Sequence, residues 1–576
     1  MAERPIRWRR RVVIALVLLG FIGVGWRIWS GRHAVPAGSW VLLDLEGSYG
    51  EYAPDDGLAR LFGQRRMSLL DLLLLIRDAD EDPRVAGMVV RVRPLEVGWA
   101  KAQDIREALL GFRASGKPLH AYLELELGAG TLEYYVASAA EYIHVPPGAA
   151  APVTGLLAQF VFLGGVWEKL DIDMQVVKIR EYKTAGDMLA NKEMSPYHRE
   201  MANSLLDSMY AQLVEGIAGP RNLEPGDVRN VIDAGPATPD ELQKAGLVDG
   251  AEYLDELRTT LVGAEGKFLA ADDYAAWRRP LPAQAPVRHR VAIVYGVGPV
   301  TTGESHASPF DGETNMGSDT LLEAFQDAVK DEQVEAIVFR VDSPGGSALA
   351  SDLIWRAART AGATKPVIVS MSDVAASGGY YVAAGANRIV AQPGTITGSI
   401  GVVLAKPNVK GFLAKLGINT AELQRGELAS MMSLTASFDA AELRRVNAAM
   451  DYVYDQFLDR VATGRHLEKE QVNAIGRGRV WTGAQASQNG LVDELGGFFA
   501  AINAAKTAVG VAAGEKVQLV FYPGRRNLLE RFRALLGTQL LGDAPPWWQQ
   551  LRRATASWRF PAGSILALMP QDISIR

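Results

Sequence analysis

Two long stretches of this chain carry the same succession of hydrophobic and polar positions. In each, an amphipathic helical pattern (69–80 and 318–330) leads into an unbroken apolar run, GMVVRV or AIVFRV. Runs of that kind mark strands buried on both faces of a parallel sheet. A second helical pattern follows (101–114 and 348–362), then a strand after Lys-Pro (LHAYLEL and VIVSMS), a short helix through Tyr-Tyr and a further strand, YIHV or RIVA. Later in each stretch the spacing predicts a long helix, over 198–217 and 438–463. Strands alternating with helices predict an α/β unit built on a parallel sheet.

The two stretches agree in residues as well as in pattern. IRDADEDPRVAGMVVRV (76–92) reads against FQDAVKDEQVEAIVFRV (325–341) at an offset of 249, Lys117-Pro118 against Lys365-Pro366 at 248, and YYVASAAEYIHVPPG (134–148) against YYVAAGANRIVAQPG (380–394) at 246. AGLVDG (245–250) resembles QNGLVDE (488–494) at 244. A slowly drifting offset is what small insertions between real copies produce. The expected organisation is therefore a first copy over 33–275, a linker over 276–290 within a Pro- and Ala-rich stretch from 270, and a second copy over 291–523. A basic, Trp-bearing tail (524–576) follows, expected to pack on the body or stay partly disordered rather than lie on a membrane surface.

The first residues change the picture of where the chain works. Arg4, Arg7, Arg9, Arg10 and Arg11 precede an uncharged run from Val12 to Trp26. Counting on to Trp29 gives about 27 Å of helix, with Arg27 snorkelling and the tryptophans at the interface. Residues 1–32 are read as a cytoplasmic basic segment and transmembrane anchor, with the bulk exported. A cleaved signal peptide is the alternative, but the segment after Trp29 lacks an A-x-A site and contains Arg32. A net charge of −6 gives no reason to expect nucleic acid, and the absence of cysteine excludes disulfides and thiol chemistry. No cofactor or metal is expected.

Candidate chemistry emerges where the copies diverge. In the second, VIVSMSDVA runs into Ala376-Ser377-Gly378-Gly379-Tyr380-Tyr381. A serine at a strand-to-helix junction lies beside free backbone N–H groups, and glycines let a substrate backbone approach. Ser343-Pro344-Gly345-Gly346-Ser347 repeats the arrangement upstream. In the first copy Thr131 faces Ser377, and Leu132-Glu133 replace Gly378-Gly379. A base must accompany the serine. His144 and His120 read as core histidines in strands, and His33, His198, His289, His306 and His466 as surface or linker residues. The first copy instead carries Glu181-Tyr182-Lys183-Thr184-Ala185, where the second has Ala429 in place of Lys183. Each copy keeps one complementary piece. A free lysine, with a pKa near 10.4, is in the wrong state for a base, so Lys183 must be desolvated and Glu181 must face elsewhere.

RVDSPGGS (340–347), AASGGYYVA (375–383), GTITGSIGV (394–402) and EYKTA (181–185) resemble the signal peptide peptidase A family (peptidase family S49) in its long, duplicated, membrane-anchored form. The resemblance spans the anchor and both copies. It implies a tandem ClpP/crotonase-like fold and a serine endopeptidase with a Ser–Lys dyad shared between halves. It further implies a homo-oligomer, typically a tetramer, on the periplasmic side of a bacterial inner membrane. Ser377 matches the family nucleophile, Lys183 its general base, Ser399 a serine that orients the lysine, and Gly378 and Gly346 the oxyanion region. The implied substrates are peptides, cleaved signal peptides above all. Two alternatives remain at this point: an enoyl-CoA hydratase or isomerase on the same fold, and a catalytically silent membrane scaffold.

Overall fold

The computed structural model describes residues 34–51, 67–126, 130–150, 153–278, 288–306 and 314–523, with the backbone of 566–568 and 574–575. The predicted anchor over 1–32 and most of the tail lie outside the described residues. Among the described residues no helix is long and apolar enough to cross a membrane.

The apolar runs form the centres of two sheets. In the first copy the strand order is Gly250–Ala251, Tyr142–Val145, Leu119–Leu123, Val85–Leu95, Ser39–Gly47, Leu269–Ala270, all parallel. The second copy repeats this order with Glu494–Leu495, Arg388–Ala391, Val367–Ala376, Val334–Ser343, His289–Val297 and Val517–Tyr522, also parallel. The duplication seen in residues is thus a duplication of topology. Val89, Val90, Val338 and Phe339 are buried in these central strands, as the runs require. The expected linker is shorter at both ends. Ala271–Trp277 is a helix held by the buried Tyr274, and His289–Arg290 already belong to a strand flanked on both sides.

A third sheet joins the copies. The first copy's strand Asp173–Ile179 runs antiparallel to the second copy's Val402–Asn408, in unbroken register from Ile179 opposite Val402 to Asp173 opposite Asn408. This pairing carries the segment bearing Lys183 onto the second copy. A buried ionic cluster fixes the remaining contact. The Arg340 guanidinium donates to Glu51 (2.9 and 3.1 Å), Asp104 (2.8 Å), Ser370 Oγ (2.9 Å) and Ser372 Oγ (3.0 Å). Burial alone would raise the Glu51 pKa, but Arg340 and Lys101 hold it down at about 2. Lys101 donates to Asp342 at 2.8 Å. Asp373 caps the first copy's helix Trp99–Ala114, accepting from Gly98 N–H (3.1 Å) and Lys101 N–H (2.9 Å). Asp342 and Asp373 lie on the strands that run towards Ser343 and Ser377. The clasp and the candidate site therefore share elements.

Candidate active site

Ser377 is the single residue between the strand Val367–Ala376 and the helix Gly378–Ala383. Its backbone sits at φ 55°, ψ −114°, a conformation costing a non-glycine residue about 1–3 kcal/mol. The fold enforces it: Ser377 N–H donates to the Gly398 carbonyl and Tyr381 N–H to the Ser377 carbonyl, both at 2.8 Å. Ser399 is likewise left-handed, with φ 52° and its N–H on the Arg479 carbonyl at 2.7 Å.

Lys183 follows the strand Asp173–Ile179 and precedes the helix Ala185–Ala190. Its side chain is completely buried. Nζ lies 2.6 Å from Ser377 Oγ, 2.9 Å from the Ser399 carbonyl and 3.0 Å from Ser399 Oγ. Burial holds its pKa well below the ordinary lysine value. Glu181, its neighbour in sequence, is turned to Arg477. A neutral amine has two N–H donors and one lone pair. Three oxygens surround Nζ, so the two N–H groups can reach Ser399 while the lone pair accepts from the Ser377 hydroxyl.

The glycines are steric requirements. A Cβ on Gly346 would lie 2.2 Å from the Val300 carbonyl oxygen, and one on Gly378 would lie 2.7 Å from Ser351 Oγ and 2.9 Å from Gly346 N. The Gly378 and Gly346 backbones thus meet beside Ser377. In the first copy the same corner is closed internally. Glu133, in the place of Gly379, accepts from Leu95 N–H at 2.9 Å and Gly130 N–H at 3.0 Å.

The structure brings together all five residues singled out from sequence. It also adds a brace that the sequence does not reveal, the turn Gly476–Arg479. Tyr182 N–H donates to the Arg477 carbonyl at 3.2 Å and Gly478 N–H to the Ile400 carbonyl at 2.7 Å. A Cβ on Gly478 would lie 2.4 Å from Lys183 N. The turn therefore touches the lysine and the segment after Ser399 at once. Gly-Arg-Gly-Arg signals a tight turn, but not what it touches. Among the described residues no histidine side chain hydrogen-bonds to Ser377, Lys183 or Ser399. His120 Nδ1 and His144 Nε2 are 3.0 Å apart within the first sheet. His198, expected at the surface, is fully buried instead. It opens the inward stripe of the helix Pro196–Arg221, ahead of Met201, Leu205 and Met209, and packs edge-on to Phe160 at 4.6 Å.

The family model for Peptidase family S49 matches residues 111–265 and again 359–512, one match in each copy. The chain belongs to peptidase family S49. Its relatives include "Serine protease SPPA, chloroplastic" of Arabidopsis thaliana, 35% identical over 80% of this chain and 68% of that one. "Protease 4" of Haemophilus influenzae is 30% identical over 88% of this chain and 86% of its own. A solved structure of a ClpP1 mutant from Listeria monocytogenes covers 36% of this chain and 91% of its own at a TM-score of 0.23 and 13% identity, too slight a likeness to argue from. This S49 member is a serine peptidase, and the hydratase and scaffold readings fall away. Among its described residues no group of three or more His, Asp or Glu is placed to hold a metal ion.

Proposed function

We propose that Ser377 is the nucleophile and Lys183 the general base of peptide-bond hydrolysis, with Ser399 orienting the amine. The observation that carries this is the 2.6 Å approach of a fully buried amine, its pKa lowered by desolvation, to a serine hydroxyl. The Ser377 proton passes to Nζ as Oγ attacks the carbonyl carbon. The oxyanion takes backbone N–H bonds from Gly378 and Gly346. Collapse breaks the C–N bond, Nζ returns its proton to the leaving amine, and water then hydrolyses the acyl-enzyme.

Cleaved signal peptides and other membrane-derived peptides are the proposed substrates. A chain anchored by residues 1–32 in a bacterial inner membrane, its catalytic part on the periplasmic side, would meet them there; the arginine-led apolar run supports this. The repeated parallel sheets support a ClpP/crotonase-like unit. The counterparts of the inter-copy strands support a homo-oligomer, read as a tetramer. LDID (170–173) corresponds to LGIN (416–419) at 246, so the counterparts of the paired strands Asp173–Ile179 and Val402–Asn408 are 419–425 and 156–162. Residues 419–425 carry no strand, and Leu423 is 98% exposed. The same pairing made between chains would be head-to-tail, the kind of contact that builds a ring where the rotation closes.

The test is turnover of a fluorogenic signal-peptide substrate by the purified full-length chain. Ser377→Ala and Lys183→Met should each lower kcat/KM by about 10⁴-fold or more, and near-normal turnover in either refutes the dyad. Because the neutral amine is the active form, kcat/KM should climb with pH through the lysine's pKa and level off above it. Burial places that limb below the range of a free lysine.

A further inference from the structure

One strand of the inter-copy sheet comes from far along the chain. Leu566–Leu568 runs antiparallel to Gly345–Ser347, with Leu568 opposite Gly345, Ala567 opposite Gly346 and Leu566 opposite Ser347. On its other side Leu566 is opposite Val403. It also lies against the helix that begins at Gly378. Each flanking strand already has a partner on its far side: Gly346 pairs with Val300, and Val402–Asn408 with Asp173–Ile179. Leu566–Leu568 therefore fills a slot one strand wide, walled on one side by the strand that carries Gly346. Further on, Ser574–Ile575 pairs antiparallel with Ala158–Gln159 of the first copy.

An extended peptide entering this slot would find backbone donors and acceptors on both sides, the physics of strand addition. Gly345 and Gly346 pair with it directly and Ser377 is buried, so a peptide cannot pair with these glycines while the strand is in place. The segment itself, GSILALMP (563–570), is uncharged and largely apolar. We propose that Leu566–Leu568 is a built-in competitor: it occupies the slot as an apolar extended peptide would, and substrate binds only when it leaves. This rests on the reading of Ser377 and Lys183 as the peptide-hydrolysing pair. A competitor on the same chain acts at an effective concentration on the order of mM, so only a peptide bound well, or held locally concentrated, displaces it.

Ala567→Pro tests this, because a strand flanked on both sides has no tolerance for proline. Leu568→Pro is a second variant, and both lie outside the two sheet cores. In the full-length chain each should lower the apparent KM for a fluorogenic apolar peptide about tenfold with kcat unchanged. Unchanged KM in both overturns the proposal. A binding arm separates this from failure of the dyad. In the full-length Ser377→Ala chain, a fluorescein-labelled GSILALMP peptide should bind about tenfold more tightly when Ala567→Pro is added. Equal affinity sinks the competitor, whereas a tenfold gain alongside undiminished turnover in Ser377→Ala would sink the dyad and leave the competitor standing.

Discussion

The two copies solve the same strand-to-helix corner in opposite ways. At the first, Thr131 opens the helix Thr131–Ala137, and the Glu133 carboxylate ties down the N–H groups of Leu95 and Gly130. At the second, Ser377 opens the helix Gly378–Ala383, and no side chain stands where Glu133 does, because Gly379 is there. The free donors of a helix start are an anion site in both. One copy closes its corner with its own carboxylate and becomes a support. The other keeps its corner free of such a side chain, as the proposed reaction requires. The support then contributes what the second copy lacks at the matching position, Lys183 in place of Ala429, across the strand pair Asp173–Ile179 and Val402–Asn408. Duplication places the amine and its hydroxyl partner on separate copies.

The largest effect should come from making the second corner resemble the first. Gly378→Leu, which imports the residue found at 132, places a Cβ 2.9 Å from Gly346 N. Such a side chain displaces one or both oxyanion donors, and loss of one donor costs about 10²–10³ in kcat. We expect kcat to fall at least that far, measured on the fluorogenic peptide with the melting temperature as a control for folding. A fall below tenfold would mean that the corner's N–H groups do not receive the oxyanion.

Much of this is legible in the sequence because duplication supplies an internal comparison. Ser377 and Lys183 stand out through their reciprocal replacement by Thr131 and Ala429, and the copies' shared element order follows from apolar runs that only a parallel sheet can bury. Features carried by contacts between copies leave no periodic trace. Arg340 sits inside AIVFRV and reads as one polar residue in a strand; that it is buried against Glu51 and Asp104 depends on docking, which local pattern does not encode. The competitor strand is three residues of backbone pairing, too short to show alternation. His198 escapes for a related reason: one polar residue at the start of a long helix looks solvated until the helix's inward stripe is known.

Arg340 sharpens the comparison by a second route. Its counterpart Arg91 pairs with Asp44, which is 43% exposed, a contact worth about 0–1 kcal/mol. Arg340→Ala would instead strand Glu51 and Asp104 in the interior, at about 3–5 kcal/mol. Denaturant unfolding should show Arg91→Ala near wild type and Arg340→Ala several kcal/mol lower. The clasp also sets an acid limit. Glu51 has a folded pKa of about 2 against an ordinary 4.5, so its contribution is complete above pH 4.5 and is lost as pH falls towards 2. A shift of that size corresponds to roughly 3 kcal/mol. The stability gap between wild type and Glu51→Gln should therefore close over that window, and a gap independent of pH would deny Glu51 its charge.

The smallest expected effect is the most pointed. Thr131→Ser places a serine at the first corner without otherwise disturbing it, and we expect neither a gain in turnover nor any labelling by a serine-reactive phosphonate. A primary hydroxyl at that position meets no buried amine, since the second copy offers Ala429 where the first offers Lys183. Its anion site is moreover already occupied by Glu133. Thr131 Oγ accepts the Thr154 N–H at 3.2 Å, a bond serine can keep, so stability should change by less than about 1 kcal/mol. Phosphonate labelling followed by peptide mapping decides it. Modification at 131 would mean that the corner alone activates a serine, and the buried lysine would lose its claim to be the base.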